Sequence, residues 1–160
     1  MVSCASEEAE LGGRDLIAKL EEEIAQGART VDPMAKLMNM EMLWADAKEA
    51  EGVMHVTPEL LNPYGTVHGG CLVTLADSVA GHNMAAAGRL CVTLSSTVNF
   101  LSPAKGPLIR CHSRVQKLGK RIGVVAVEAT DDKGDLLLTA LFTFSAMKTI
   151  VPHIITAQDG

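Results

Sequence analysis

The chain has 160 residues, a formal net charge of −5 at pH 7 and 48% hydrophobic content, enough for one ordinary domain with a sizeable core. Its acidity argues against nucleic acid or a membrane surface as the main partner, and no stretch is apolar for long enough to span a bilayer. The four cysteines, Cys4, Cys71, Cys91 and Cys111, lack close pairs and metal-type spacing, so they read as reduced core residues and exclude a disulfide scaffold.

The first residues, MVSCASEEAE, carry acid where a secretory signal carries base, which makes the cytoplasm the expected location. Residues 14–26 repeat apolar positions at Ile17, Leu20 and Ile24 between acids, the pattern of a surface helix that Gly27 ends. This acidic extension is assigned to residues 1–31, the main domain to 32–150 and a tail to 151–160. Asp32 and Pro33 offer an N-cap and a first-turn proline for a short helix through Met38. Residues 40–48 and 53–57, separated by Glu-Ala-Glu-Gly, read as a β-hairpin. Pro58 and Pro63 then bracket an irregular loop.

Residues 61–77, LNPYGTVHGGCLVTLAD, are the most informative stretch. A glycine turn and a histidine open an apolar helix over 69–87, closed by Gly88, in which Asp77 is the one fixed charge. The stripe Leu72, Val73, Leu75, Ala76, Val79, Ala80 and Met84 faces a second side of Thr74, Ser78, Gly81 and Ala85, so the helix is expected to be buried nearly all round. After Gly88 the period changes to two. Strands are expected at 91–101, 107–118, 121–130 and 136–147, forming an antiparallel meander. In the second of them Ile109, Cys111, Ser113 and Val115 alternate with Arg110, His112, Arg114 and Gln116, giving one wet face. In the last, Leu136, Leu138, Ala140, Phe142, Phe144 and Ala146 share the core side. Asp131-Asp132-Lys133-Gly134 is a hairpin turn. One buried helix and about six antiparallel strands make an α+β layer arrangement in which the sheet wraps the helix.

A helix N-terminus presents unpaired N–H groups at the positive end of the peptide dipole. With no side chain at Gly69 or Gly70, a carbonyl oxygen can approach that backbone, the outline of an oxyanion hole. Asp77 in an apolar setting is a candidate general base. Gly69 and Asp77 are eight residues apart, about 12 Å of helical rise, so one carbonyl cannot touch both in one chain. A shared site therefore requires a second subunit and a symmetric dimer.

Asn62, Gly65, His68, Gly69 and Gly70 followed by Leu75-x-Asp77, and later Asn99-Phe100-Leu101-Ser102-Pro103-Ala104, resemble the hotdog-fold acyl-CoA thioesterases of the PaaI-like group over residues 32–147. The resemblance implies a hotdog fold, with Asp77 as base or nucleophile toward the thioester. It implies that Asn62 and the Gly69 N–H bind the carbonyl, that His68 orients neighbouring groups, and that Thr93 on the following strand assists the water. It further implies homodimers that pair into tetramers, with Asp77 facing Asn62 and Gly69 of the partner. No cofactor is expected beyond the CoA of the substrate.

Residues 89–121 hold Arg89, Lys105, Arg110, Arg114, Lys117, Lys120 and Arg121 without an acid, while thirteen of the nineteen acids fall in residues 1–59. That basic run suits a multiply phosphorylated ligand. Lys105, Lys117, Lys120 and Arg121, with Gly70 at the turn, are the substrate-binding candidates; the competing reading is solvated strand-face charge. The histidines lack ligand spacing, so no metal is assigned. Cys71, three residues after His68, reads as packing rather than as a nucleophile. The methionines Met34, Met38, Met40, Met42 and Met54 read as core filling rather than as an acyl pocket, and few aromatic residues argue against an aromatic-lined one. A non-catalytic acyl-CoA binding module is the alternative function. A hotdog dehydratase fits less well, since that chemistry pairs histidine with glutamate.

Overall fold

The computed structural model describes residues 32–149; the expected helix at 14–26, the rest of the acidic extension and the tail at 151–160 lie outside these residues. A short helix α1 (Pro33–Leu37) leads into β1 (Met40–Ala45) and β2 (Glu49–His55), then a 3-10 turn (Pro58–Leu60), the long helix α2 (Gly69–Ala86) and four strands. These are β3 (Arg89–Phe100), β4 (Leu108–Leu118), β5 (Ile122–Asp131) and β6 (Leu136–Thr149). All pairings are antiparallel, and the six strands form one sheet in the order β1-β2-β4-β5-β6-β3. With α2 packed across one face, this is the α+β hotdog arrangement.

The order corrects the expected four-strand meander. Only β4, β5 and β6 run as neighbours; β3 leaves α2, pairs with β6 and forms the far edge. The connection from β3 to β4 crosses an end of the sheet through seven residues with Pro103 and Pro107, too long for a tight hairpin. Leu101 and Ser102 N–H both donate to Leu137 O as the chain turns away from β6. β4 continues onto β2, with Ala50 opposite Ser113 and Met54 opposite Ile109.

The first hairpin turns at residues 46–48, and Glu-Ala-Glu-Gly lies inside β2 instead of forming the turn. The reason is local. Asp46 Oδ1 accepts from the N–H groups of Lys48 and Glu49 at 2.7 and 2.8 Å, and Asp46 N–H donates to Glu49 O. This aspartate turn outcompetes a glycine turn three residues later. Gly52 serves a different end: a Cβ there would stand 2.9 Å from Val79 Cγ2 and 3.1 Å from Glu41 O, so its bareness lets α2 lie close on β2.

Along α2, Leu72, Leu75, Ala76, Val79, Ala80, Asn83, Met84 and Ala86 are buried. They pack onto Ile109 and Cys111 of β4, Val125, Val127 and Ala129 of β5, and Leu138, Phe142 and Phe144 of β6. Thr74, Ser78, Gly81 and Ala85 are only partly covered, so within one chain the helix is buried on one side and not all round. β4 has the expected wet face, with Arg110 and Arg114 exposed while Cys111 and Ser113 are buried. Leu136 departs from the expected core face of β6. A register shift between Ala129 and Thr130 turns it outward and Leu137 inward. The Asp131 turn forms as expected, with Gly134 at φ 89°.

Candidate functional site

The turn before α2 is braced by one side chain. Asn62 Oδ1 accepts from the N–H groups of Tyr64 and Thr66 at 2.9 and 3.2 Å, and Asn62 Nδ2 donates to Thr66 Oγ1 at 2.8 Å. Gly65, at φ 72°, completes the reversal. His68 is the N-cap of α2, and its Nδ1 accepts the Gly70 N–H at 3.0 Å. The N–H groups of Cys71 and Leu72 turn back to His68 O. Among the described residues, the Gly69 N–H alone of this first turn makes no hydrogen bond within the chain. Gly70, expected at the substrate, thus has its own N–H engaged by the cap.

The Gly69 N–H borders a pocket of about 340 Å3 lined by Thr66, Val67, Gly69, Leu72 and the 100–104 stretch. The pocket joins the glycine turn to the crossing after β3, which brings together the two sequence motifs. Val67 N–H donates to Ala104 O at 3.0 Å and ties them. Lys105 is exposed next to Ala104, at the rim.

Asp77 does not line this pocket. It stands two turns along α2, half-buried, and accepts a 2.8 Å hydrogen bond on Oδ1 from Thr93 Oγ1 of β3. Thr93 shares its sheet face with Phe144, opposite it in β6, and so points to the helix side. One chain therefore keeps two groups apart: Gly69 with its pocket, and the Asp77–Thr93 pair.

A model of the thioesterase superfamily matches residues 64–138, which span both halves. The acyl-coenzyme A thioesterase PaaI of Escherichia coli is 29% identical over 103 residues, covering 64% of this chain and 74% of that one. Its solved structure superposes with a TM-score of 0.71 over 83% of this chain and 95% of that one, at 21% identity. The 1,4-dihydroxy-2-naphthoyl-CoA hydrolase of Escherichia coli is 31% identical over 96 residues, covering 58% of this chain and 71% of that one. This chain belongs to the thioesterase superfamily, in its PaaI-like hotdog group. A hypothetical thioesterase from Streptococcus pneumoniae TIGR4, solved with coenzyme A, is 27% identical with a TM-score of 0.68 over 71% of this chain and 89% of that one. Two further structures under that description carry an aspartate-to-alanine and a threonine-to-alanine replacement, 16 residues apart, the separation of Asp77 and Thr93 here.

The remaining basic candidates of this family member lie elsewhere in the chain. Lys117, Lys120 and Arg121 are exposed at the β4–β5 hairpin, whose Gly123 packs on Met84 near the C-terminal end of α2. Lys105 precedes β4 at its other end, about 30 Å away along the strand. Arg110 pairs with Glu51, and Arg114 with Glu49 at 2.9 Å, both on the wet face. Strand-face charge is the correct reading for these two.

Among the described residues Cys71, Cys91 and Cys111 are free thiols, and no group of residues is arranged to hold a metal. Burial raises the Cys71 thiol, and burial followed by the nearby Asp77 charge pushes Cys91 up to about 11. A thiol so raised is a poor nucleophile at neutral pH, in keeping with the packing role read for Cys71. Among the described residues no helix is long and apolar enough to cross a membrane. The structure adds roles that the sequence did not assign: Thr66 as brace, and Phe100 and Leu101, until here only members of the 99–104 motif, as pocket wall. Asn83 is a third. Fully buried, it donates to Asp46 O at 2.7 Å and accepts from Ser113 Oγ at 3.2 Å, locking α2 to the first hairpin and β4.

Proposed function

We propose that the protein hydrolyses an acyl-CoA thioester to the free acid and CoA, each site combining the Gly69 half of one copy with the Asp77 half of another. One observation carries this reading: a free Gly69 N–H on a pocket, with the helix's only carboxylate two turns away and outside that pocket. The two halves serve one carbonyl when two chains meet about a twofold axis. The chain has surface suited to that contact. β3 pairs on one side only, which leaves its other edge open to a second copy, and the small residues Thr74, Ser78, Gly81 and Ala85 of α2 are only partly covered. Pairing of dimers into a tetramer completes the assembly.

The thioester carbonyl oxygen accepts from the Gly69 N–H, where the positive end of α2 stabilises charge developing on oxygen. Asn62 braces the turn and does not line the pocket in one chain; the amide hydrogen it retains beyond its bond to Thr66 is assigned as a second donor. His68 holds the turn by capping it. Thr93 occupies Oδ1 of Asp77, which aims Oδ2 at a water molecule. Asp77 takes a proton from that water while the water oxygen bonds to the carbonyl carbon. Collapse of the tetrahedral intermediate breaks the C–S bond, and the proton passes to the departing sulfur. Direct attack by Asp77, through an anhydride that water then opens, reaches the same products. Lys105 stands at the rim for a CoA phosphate of its own pocket, and Lys117, Lys120 and Arg121 are assigned to the phosphates of a CoA held by another copy. The reading calls for no cofactor beyond that CoA, and the acidic chain with free thiols is assigned to the cytoplasm.

The test is thiol release from an acyl-CoA panel by Asp77→Ala and Asp77→Asn. Loss of an essential base lowers kcat by at least about a hundredfold, and activity within a few-fold of wild type removes Asp77 from the mechanism. Saturable binding of acyl-CoA without thiol release by the wild type would replace hydrolysis with a binding role.

A further inference from the structure

We infer that Phe100 is a specificity-determining residue, a wall beside the thioester carbonyl that admits acyl groups with an unbranched α-carbon and excludes bulky ones. The inference rests on the reading above that the pocket receives the thioester. The chain has three phenylalanines. Phe142 and Phe144 are fully buried, whereas Phe100 is 56% exposed at the end of a well-paired strand, on the helix side opposite Leu138. The ring lines the pocket, where an apolar ligand would cover it.

Its position defines what it meets. A Cβ built on Gly69 would stand 3.2 Å from both Cε1 and Cζ of Phe100, so the ring lies against the Gly69 backbone, next to the free N–H. An oxygen accepting from that N–H sits about 2.9 Å from the nitrogen. The carbonyl carbon and its first substituent then fall within van der Waals reach of the ring. A planar thioester with a CH2 at the α-position can slide along such a wall, and a quaternary α-carbon cannot. The same contact explains why position 69 carries no side chain: even a methyl group would press on the ring.

The experiment compares butanoyl-CoA with 2,2-dimethylpropanoyl-CoA on wild type, Phe100→Ala and Phe100→Leu, the leucine variant retaining an apolar strand residue if alanine weakens folding. Both kcat/KM and calorimetric Kd are measured for each ester. Wild type should favour the unbranched ester by at least about tenfold, and Phe100→Ala should shrink that preference by about tenfold, within the range one or two misplaced methyl groups command in a tight pocket. Phe100→Leu should also relieve Gly69→Ala, recovering several-fold of its lost turnover or ester affinity. A branched-to-unbranched ratio unchanged within twofold in both Phe100 variants overturns the inference while leaving hydrolysis intact. If wild type releases no thiol from either ester, the hydrolytic reading fails by itself, and the Kd ratios still decide the role of Phe100.

Discussion

At Thr93 and His68 the proposed chemistry turns on single hydrogen bonds. The Thr93 hydroxyl donates to Asp77, and a hydrogen bond to a charged group contributes about 1.5 kcal/mol, close to a tenfold change in rate. Thr93→Ala should therefore lower kcat roughly tenfold, with Thr93→Ser staying within a few-fold because it keeps the donor. Equal losses in both variants would point to packing at β3 instead. His68 accepts the Gly70 N–H as the helix cap, a service worth about 1 kcal/mol. His68→Asn preserves an acceptor at that position, so it should keep the thermal stability and most of the turnover, whereas His68→Ala loses stability. A His68→Asn protein that melts like wild type but is inactive would assign the imidazole a direct chemical part.

On the scale of elements, the first hairpin shows how a charge can set a turn. The N–H groups of Glu49 and then Lys48 hold the Asp46 carboxyl below its usual value of 3.8. A carboxyl depressed in the folded state stabilises the fold at pH values above its unfolded value and loses that contribution as pH falls through the folded one. The difference in Tm between wild type and Asp46→Ala should accordingly be present at pH 7 and shrink below about pH 3.8. A gap of the same size at pH 3 would show that the carboxylate charge does not hold the turn. The same hairpin anchors α2 through the bond from Asn83 to Asp46 O, so its geometry bears on where the helix, and with it Asp77, sits over the sheet.

For the whole molecule, the question is whether two copies share each site. Gly69→Pro deletes the one free N–H of the glycine turn at a first helical position whose backbone suits proline, His68 already holding an extended ψ of 134°, and its ring also presses on Phe100, so the Gly69 half is lost on both counts. Removal of one such donor costs about a hundredfold in kcat. Gly69→Pro and Asp77→Ala should then each be nearly inactive. Refolded together in equal amounts they should recover about a quarter of wild-type activity, because half of the dimers are mixed and each mixed dimer has one intact site of two. No recovery, in a mixture that sedimentation shows to be dimeric or larger, would mean that each chain works alone.

Several features are written locally and were readable from the chain itself. The α2 stripe, the lone Asp77, the glycine turn, the wet face of β4 and the Asp131 turn follow from side-chain period and turn chemistry within a few residues of each other. The resemblance carried by Asn62 to Asp77 and by Asn99 to Ala104 was likewise legible, and it led to the hotdog fold and the thioesterase family. Long-range pairing was not. Nothing adjacent to β3 says that it joins β6 instead of β4, because strand order depends on which edges remain free after the helix is covered. The turn at Asp46 won over Glu-Ala-Glu-Gly because two backbone donors found one carboxylate, a contest that period cannot score. Sequence alone determined the glycine turn and the lone carboxylate of α2, which are local; the tertiary structure decided which residues meet each other, since the bond from Thr93 to Asp77 and the ring of Phe100 on Gly69 join segments that are distant along the chain.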